Sequence, residues 1–167
     1  MSITVKLNDV INALESANQE LSSYLDKRNG EIIQLTSEEI QAAEDDALIS
    51  EYPDWQRDSI LRARELLGAA EAFIELPGQF DINEYLIMED FCLTLHDRRV
   101  GEELLRLIKG SGAFRRFKNA IHEKGIEKAW YEFRSEALEK IAIEWLEENG
   151  ISYSRNDDAI QLPEGIA

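Results

Sequence analysis

The chain opens with apolar residues at a helical interval. Leu7, Val10, Ile11 and Leu14 fall at i, i+3, i+4 and i+7, which places one apolar stripe on a short helix. The period then changes. The stretch from Tyr24 to Ile33, centred on Asn29-Gly30, predicts a β-hairpin, because Asn and Gly tolerate the positive φ that such turns require. A two-residue Asn29-Gly30 loop sets Asp26 opposite Ile33. A three-residue loop with Gly30 left-handed instead pairs Lys27 with Glu31, Leu25 with Ile33 and Ser23 with Leu35, and cross-strand chemistry favours this second register. Thr36 or Ser37 then caps an acidic helix running toward Asp46, with Glu38 and Glu39 in the first turn at the positive end of the helix dipole.

Farther along, Pro53 reads as a first-turn residue of a helix whose stripe is Ile60, Ala63, Leu67, Ala70 and Ile74, ending before Pro77-Gly78. Phe73-Ile74-Glu75-Leu76 is short enough to be helix end or strand, and a strand joining the hairpin is preferred for its end. Asp81 is the expected cap of a helix lined by Tyr85, Met88, Phe91, Cys92 and Leu95. Leu104, Leu105 and Ile108 mark another that stops at Gly110. A further helix runs from Ala113 to about Glu123, and Trp130, Phe133, Ala137, Ile141 and Trp145 recur along a long one ended by Asn149-Gly150. The predicted fold is α+β and predominantly α, with about six helices packed against a small antiparallel sheet built on the N-terminal hairpin. No repeat, low-complexity tract or Pro/Gly/Ser-rich linker divides the chain. The expectation is one domain over residues 1–153 and a loosely ordered tail over 154–167.

Composition agrees with a packed core: of 167 residues, 44% are hydrophobic and 31% charged. The amino terminus has no apolar signal region, and no apolar run approaches bilayer-spanning length, so a cytoplasmic protein without membrane association is expected. Cys92 is the single cysteine. It rules out an intramolecular disulfide and a cysteine zinc cluster, and within Phe91-Cys92-Leu93 it reads as a buried thiol rather than a nucleophile. The net charge of −16 supports solubility and opposes contact with nucleic acid. It is unevenly spread: residues 1–50 carry 3 basic and 10 acidic side chains, 51–100 carry 5 and 11, and 101–150 carry 9 and 10. From Arg106 to Lys128 only Glu123 and Glu127 oppose the basic residues.

That cationic stretch holds the main candidate site, Lys109 to Lys118. A glycine-containing turn (Gly110, Ser111, Gly112) feeds a helix start that bears Arg115, Arg116 and Lys118. Helix starts attract anions because their first N–H groups lack intrahelical partners, and arginines add bidentate contacts. The glycine spacing fits neither a phosphate-binding loop nor a dinucleotide fingerprint. The plain structural alternative is a helix–turn–helix joint in which Phe114 and Phe117 enter the core and the arginines pair with acidic neighbours. Interleaved rings and cations also suit nucleic acid, against the net charge. His96-Asp97-Arg98 places a base, an acid and a cation side by side, yet neighbours on a helix do not face one another, and His96 reads as a helix-end residue. Glu44, Asp45 and Asp46 with Glu51 and Asp54 lack the alternation and central glycine of a calcium loop. Trp130 to Arg134 reads as core first. No catalytic residue, metal ligand or cofactor is expected.

Several segments together resemble a known family. They are Tyr24-Leu25-Asp26 with Asn29-Gly30-Glu31, Phe73 to Pro77 with Phe80 to Tyr85 and Met88 to Phe91, Gly110 to Lys118, and Trp130-Tyr131 with Ala142 to Leu146. In combination they are similar to the bacterial Uncharacterised Protein Family 0158, over roughly Val5 to Ile151. The resemblance implies a bacterial cytoplasmic protein and carries over no activity, substrate or catalytic residue. The leading expectation is therefore a non-enzymatic interaction protein that engages a protein partner or an anionic group through Gly110, Ser111, Gly112, Arg115, Arg116 and Lys118. An RNA- or DNA-associated factor using the same island is the alternative, and an enzyme with a dispersed site near His96 and Asp97 stands behind both. Oligomeric state is not written in the sequence.

Overall fold

The computed structural model describes residues 3–155 and 159–161. The chain forms two compact units, residues 1–81 with 141–167 and residues 82–140. In the first, β1 (Thr4–Lys6) leads directly into α1 (Leu7–Glu15), which buries Leu7, Val10, Ala13 and Leu14. The hairpin follows as β2 (Leu21–Asp26) and β3 (Ile32–Thr36). Its register is neither of the two weighed from sequence: Tyr24 faces Ile33, Leu25 faces Ile32 and Ser22 faces Leu35. The cause is the Asp26 carboxylate, which is buried and accepts hydrogen bonds from the Arg28 backbone N–H and from Nε and Nη2 of the Arg28 side chain, each at 2.9 Å. The chain wraps that carboxylate, so Asp26 N–H reaches the Glu31 carbonyl and Gly30 N–H reaches the Asp26 carbonyl, both at 2.8 Å, across a longer loop. Gly30 is left-handed as expected, at φ 80°.

This register points Tyr24, Ile33 and Leu35 to one face, since directly opposed residues share a side. There they meet α2 (Ser37–Glu44) and α3 (Asp54–Gly68) in a cluster with Ala43, Ala63 and Leu66. Leu25, fully buried, lies on the opposite face. Thr36 caps α2 through a capping box: its hydroxyl accepts the Glu39 N–H and Glu39 returns a bond to the Thr36 N–H. Pro53 sits at the cap of α3, one position before the first turn. The buried row of α3 runs through Ile60, Ala63 and Leu66, whereas Leu67 is 46% exposed, because the helix ends at Gly68 and never reaches Ala70 or Ile74. Instead β4 (Phe73–Glu75) adds to β2, giving the antiparallel order β3-β2-β4 and the strand that the short apolar run favoured.

A second sheet was not legible in advance. β5 (Ser152–Arg155) pairs in parallel with β1, and β6 (Ala159–Gln161) pairs antiparallel with β5. Such short strands carry too little alternation to register, although Val5 and Tyr153, which face each other, are both buried. Ser154, Arg155 and residues 159–161 belong to the segment expected to be loose; 156–158 and 162–167 lie outside the described residues.

Next along the chain after β4, α4 (Gln79–Ile82) is a single turn in which the Asp81 carboxylate accepts the Gly78 N–H at 2.9 Å. Asn83, not Asp81, therefore caps α5 (Glu84–Thr94), accepting the Leu86 N–H from a left-handed backbone at φ 52°. The inner face of α5 is Ile87, Met88, Phe91 and Cys92, with Tyr85 41% exposed. α6 (Arg98–Leu107) is capped by Asp97, and its Gly101 lies against the Cys92 carbonyl, where an added Cβ would come to 2.6 Å. α7 (Ala113–Glu123) matches its expected span, and α8 (Glu127–Glu148) is the long terminal helix, whose residues to 140 belong to the second unit.

Phe91, Phe117, Trp130 and Phe133 build the aromatic core of that second unit by edge-to-face contacts, the tightest being Phe117 to Trp130 at 4.8 Å between centroids. The buried row of α8 is Trp130, Leu138, Ala142 and Leu146, while Phe133, Ala137, Ile141 and Trp145 are half-buried. Arg134 explains the difference. It occupies the i+4 step from Trp130, breaking the apolar pattern, and its guanidinium grips Glu84 at 2.6 and 3.0 Å. Among the described residues no helix is long and apolar enough to cross a membrane.

Candidate functional site

The island is built where α6 gives way to α7. The last carbonyls of a helix have no intrahelical donors, and a turn that leaves them must supply some. Here Arg116 does so from the following helix. Its Nε donates to the Leu107 carbonyl at 2.8 Å, Nη1 to the Ser111 carbonyl at 2.6 Å and Nη2 to the Lys109 carbonyl at 2.7 Å. Gly110 and Gly112 are left-handed at φ 82° and 77°, which lets the backbone turn its carbonyls toward the guanidinium. Gly110, Ser111 and Gly112 thus form the loop, and Arg116 is the clamp that closes it.

Lys118 is held differently. Its ammonium donates to the Tyr131 hydroxyl at 2.9 Å and lies 4.9 Å from the Tyr131 ring centre and 5.4 Å from that of Phe114. Those distances are within cation–π range. Phe114 is 45% exposed and Tyr131 46%, so two rings and a cation form a surface patch from α7 and α8. This departs from the expectation that both phenylalanines of α7 enter the core. Phe117 is fully buried, but Phe114, one turn earlier at i−3, falls at the rim of the stripe, where Lys118 at i+4 covers it. Arg115 is exposed and meets no hydrogen-bond or ion-pair partner among the described residues. The three cations therefore do not converge: one is structural, one is clasped by rings and one meets no partner among the described residues.

Charge around the patch is balanced. Residues 82–140 hold 11 Lys and Arg against 11 Asp and Glu, leaving 7 and 23 of the chain's 18 and 34 for the other unit, which carries the whole −16. Several acidic neighbours are already paired: Glu103 with Lys124 at 2.5 Å, which holds its carboxyl below the usual range, and Glu127 with His122 at 2.5 Å. The other sequence candidates fall apart. The Asp97 carboxylate is taken by the Arg99 and Val100 N–H groups, His96 is exposed, and burial pushes the Cys92 thiol up to about 11. In the acidic run, Asp46 turns left-handed and pairs with Arg64 at 3.7 Å. No group of three or more metal-ligating side chains is gathered among the described residues. Tyr131 was missed as a site residue because its neighbour Trp130 marks the segment as core, and only the helical phase separates the two.

Comparison with known proteins gives a match to the model of an uncharacterised protein family, UPF0158, over residues 1–166. The chain belongs to UPF0158. A relative, the UPF0158 protein PA5073 of Pseudomonas aeruginosa, is 25% identical over 150 residues, which cover 89% of this chain and 85% of that protein. No solved structure matches. Of the segments that prompted the resemblance to UPF0158, Gly110 to Lys118 forms the Arg116 clamp, and Tyr24 to Glu31 forms the loop around Asp26. A notch of about 280 Å³ beside that loop is lined by Asp26, Arg28, Glu31, Arg62, Glu65 and Phe73, among others. Its charges are mutually satisfied: Arg28 bridges Asp26 and Glu65 while stacking 5.2 Å over Phe73, and Arg62 meets Glu31 at 2.8 Å. Hydrogen bonds from Arg28 lower the Asp26 pKa. In this UPF0158 chain the notch buckles the hairpin to α3, and the α7–α8 patch sets exposed rings beside a cation, Arg115, that meets no partner among the described residues.

Proposed function

We propose that this chain is a non-enzymatic interaction protein that recognises an acidic segment of a protein partner through Phe114, Arg115, Lys118 and Tyr131, on the frame set by Gly110, Ser111, Gly112 and Arg116. The observation that carries the proposal is the pair of half-exposed rings holding the Lys118 ammonium at the surface beside Arg115, which is exposed and meets no partner among the described residues. Aromatic and arginine side chains dominate interface energetics because each buries a large area with few rotamers to freeze. Lys118 gives one donor to Tyr131 and keeps two for a carboxylate, and Arg115 offers a bidentate fork. The bonds of Glu103 to Lys124 and of Glu127 to His122 reduce the opposition that an acidic partner meets there.

The test compares partners captured by the wild-type chain with those captured by Phe114→Ala/Arg115→Glu, with circular dichroism confirming an unchanged fold. Loss of a specific, salt-sensitive protein partner supports the proposal, and an identical partner set sinks it. A second reading, binding of single-stranded RNA, draws on the same rings as stacking platforms and on the neutral balance of residues 82–140, which softens the repulsion expected of a −16 chain. A gel shift of single-stranded RNA that weakens with salt and vanishes in the double variant would favour it. The enzymatic alternative gains no support, since Asp97 is engaged as a helix cap beside His96.

A further inference from the structure

We infer that the free edge of β3, together with the groove between it and α1, takes an extended basic peptide segment of a partner as an added strand. In an antiparallel pair, alternate residues turn their N–H and C=O groups toward the partner strand and the ones between turn them away. Here Glu31, Ile33 and Leu35 face β2, so Ile32 and Gln34 present their backbone groups on the far side. β3 is the end strand of its sheet, and these outward groups meet no partner among the described residues. The edge is closed at its far end, where Thr36 N–H is taken by Glu39 Oε1 at 2.8 Å. Ile32 to Gln34 are left as the open stretch.

Edge strands are ordinarily protected by lysine, proline or a bulge. β3, Ile32-Ile33-Gln34-Leu35-Thr36, contains no charge and no proline and pairs with β2 in unbroken register, whereas the opposite edge strand β4 is followed by Pro77 after Leu76. Alongside the unprotected edge runs a groove of about 400 Å³, lined by Asp9 and Asn12 of α1, by Ser16 at its C-terminal cap and by Glu31, Ile32 and Gln34, among others. An added strand would hydrogen-bond the edge and turn alternate side chains toward α1, the recognition mode of strand addition.

Charge selects the occupant. Asp9 is exposed, and among the described residues Glu31 is the other charged residue lining the groove and no Lys or Arg lines it. The unit that contains it carries 7 basic and 23 acidic residues. A strand bearing Lys or Arg at alternate positions complements this wall. A second copy of the chain would instead bring Asp9 and Glu31 against acidic counterparts.

The experiment is fluorescence polarisation with a capped, labelled peptide of about eight residues alternating Lys and Val. Saturable binding is expected, weakened about tenfold or more by Gln34→Pro, which removes an outward N–H and leaves the backbone bonds to β2 in place, while also removing the side-chain bond from Gln34 Nε2 to Ser23 Oγ. Asp9→Lys should weaken it as well. The same peptide N-methylated on alternate residues leaves the protein unaltered, so it keeps the test decisive if Gln34→Pro disturbs folding, and it is expected not to bind. No binding of the parent peptide, or equal binding of the N-methylated one, overturns the inference. So does concentration-dependent dimerisation of the unliganded chain that Gln34→Pro abolishes, which would show a second copy on the edge.

Discussion

Gly101 offers a test in which two physical effects have opposite signs. In the middle of α6, replacing glycine by alanine reduces the entropy lost on folding, and propensity alone predicts a gain of about 1 kcal/mol. The packing predicts the reverse. A Cβ at position 101 would stand 2.6 Å from the Cys92 carbonyl oxygen and 3.6 Å from its carbon. Both atoms are backbone of α5, so no side chain can swing aside, and α5 and α6 must separate to admit the methyl group. Overpacking of this kind costs about 1–3 kcal/mol, near the upper end where the obstacle is rigid. Setting about 3 against about 1 leaves Gly101→Ala less stable by about 2 kcal/mol, a Tm lower by roughly 4–8 °C for a chain of this size. Urea titration followed by tryptophan emission measures the loss, and amide hydrogen exchange locates it, with α5 and α6 losing protection first. A Gly101→Ala chain as stable as wild type, or more so, would refute the close approach of the two helices.

Three further outcomes follow from the other contacts. Arg116→Met, which keeps the stem but removes three carbonyl partners, should cost about 1–3 kcal/mol and loosen residues 107–112 in hydrogen exchange, whereas Arg115→Ala should leave stability unchanged. Asp26 has a lowered pKa in the folded chain, so its contribution is complete above the ordinary carboxylate range and is lost as pH falls through the folded value. Asp26→Asn should therefore be less stable at neutral pH and show a flatter decline in acid urea titrations than wild type. Finally, Cys92, its thiol pushed up to about 11 by burial, should react with an aromatic disulfide reagent at pH 8 about two orders of magnitude more slowly than an exposed cysteine and recover that rate in urea.

What the sequence disclosed depends on how far each signal is local. The cap of α2 and the span of α7 are written in neighbouring residues: Thr36, one of the two residues read as the cap, holds that place, and α7 stands as read. The hairpin was legible as a hairpin, but its register was not, because it turns on the Asp26 carboxylate gathering Arg28 across the loop, an energy absent from cross-strand pairing. The parallel contact of β1 with β5 joins residues almost 150 positions apart, a separation that no local period reports. Within the island the glycines and cations were found from sequence. Their division of labour was not, because whether Arg116 turns back onto carbonyls or outward depends on the geometry of the α6 terminus. Phe114 and Phe117 differ in burial by helical phase alone, and Tyr131 enters the patch only once α7 and α8 are side by side.

The surface of Phe114, Arg115, Lys118 and Tyr131 is the centre of the functional account, and a photo-crosslinker placed within it tests that account most directly. p-Benzoylphenylalanine at position 131 keeps an aromatic ring at the exposed edge of the patch and puts a benzoyl group in place of the hydroxyl that Lys118 meets. Irradiation in the native cells should yield a discrete adduct that is protease-sensitive and nuclease-resistant and that is lost when Arg115→Glu is added. The same label at Leu93, exposed but outside the patch, should not form that adduct. No adduct at position 131, or the same adduct from position 93, would contradict it.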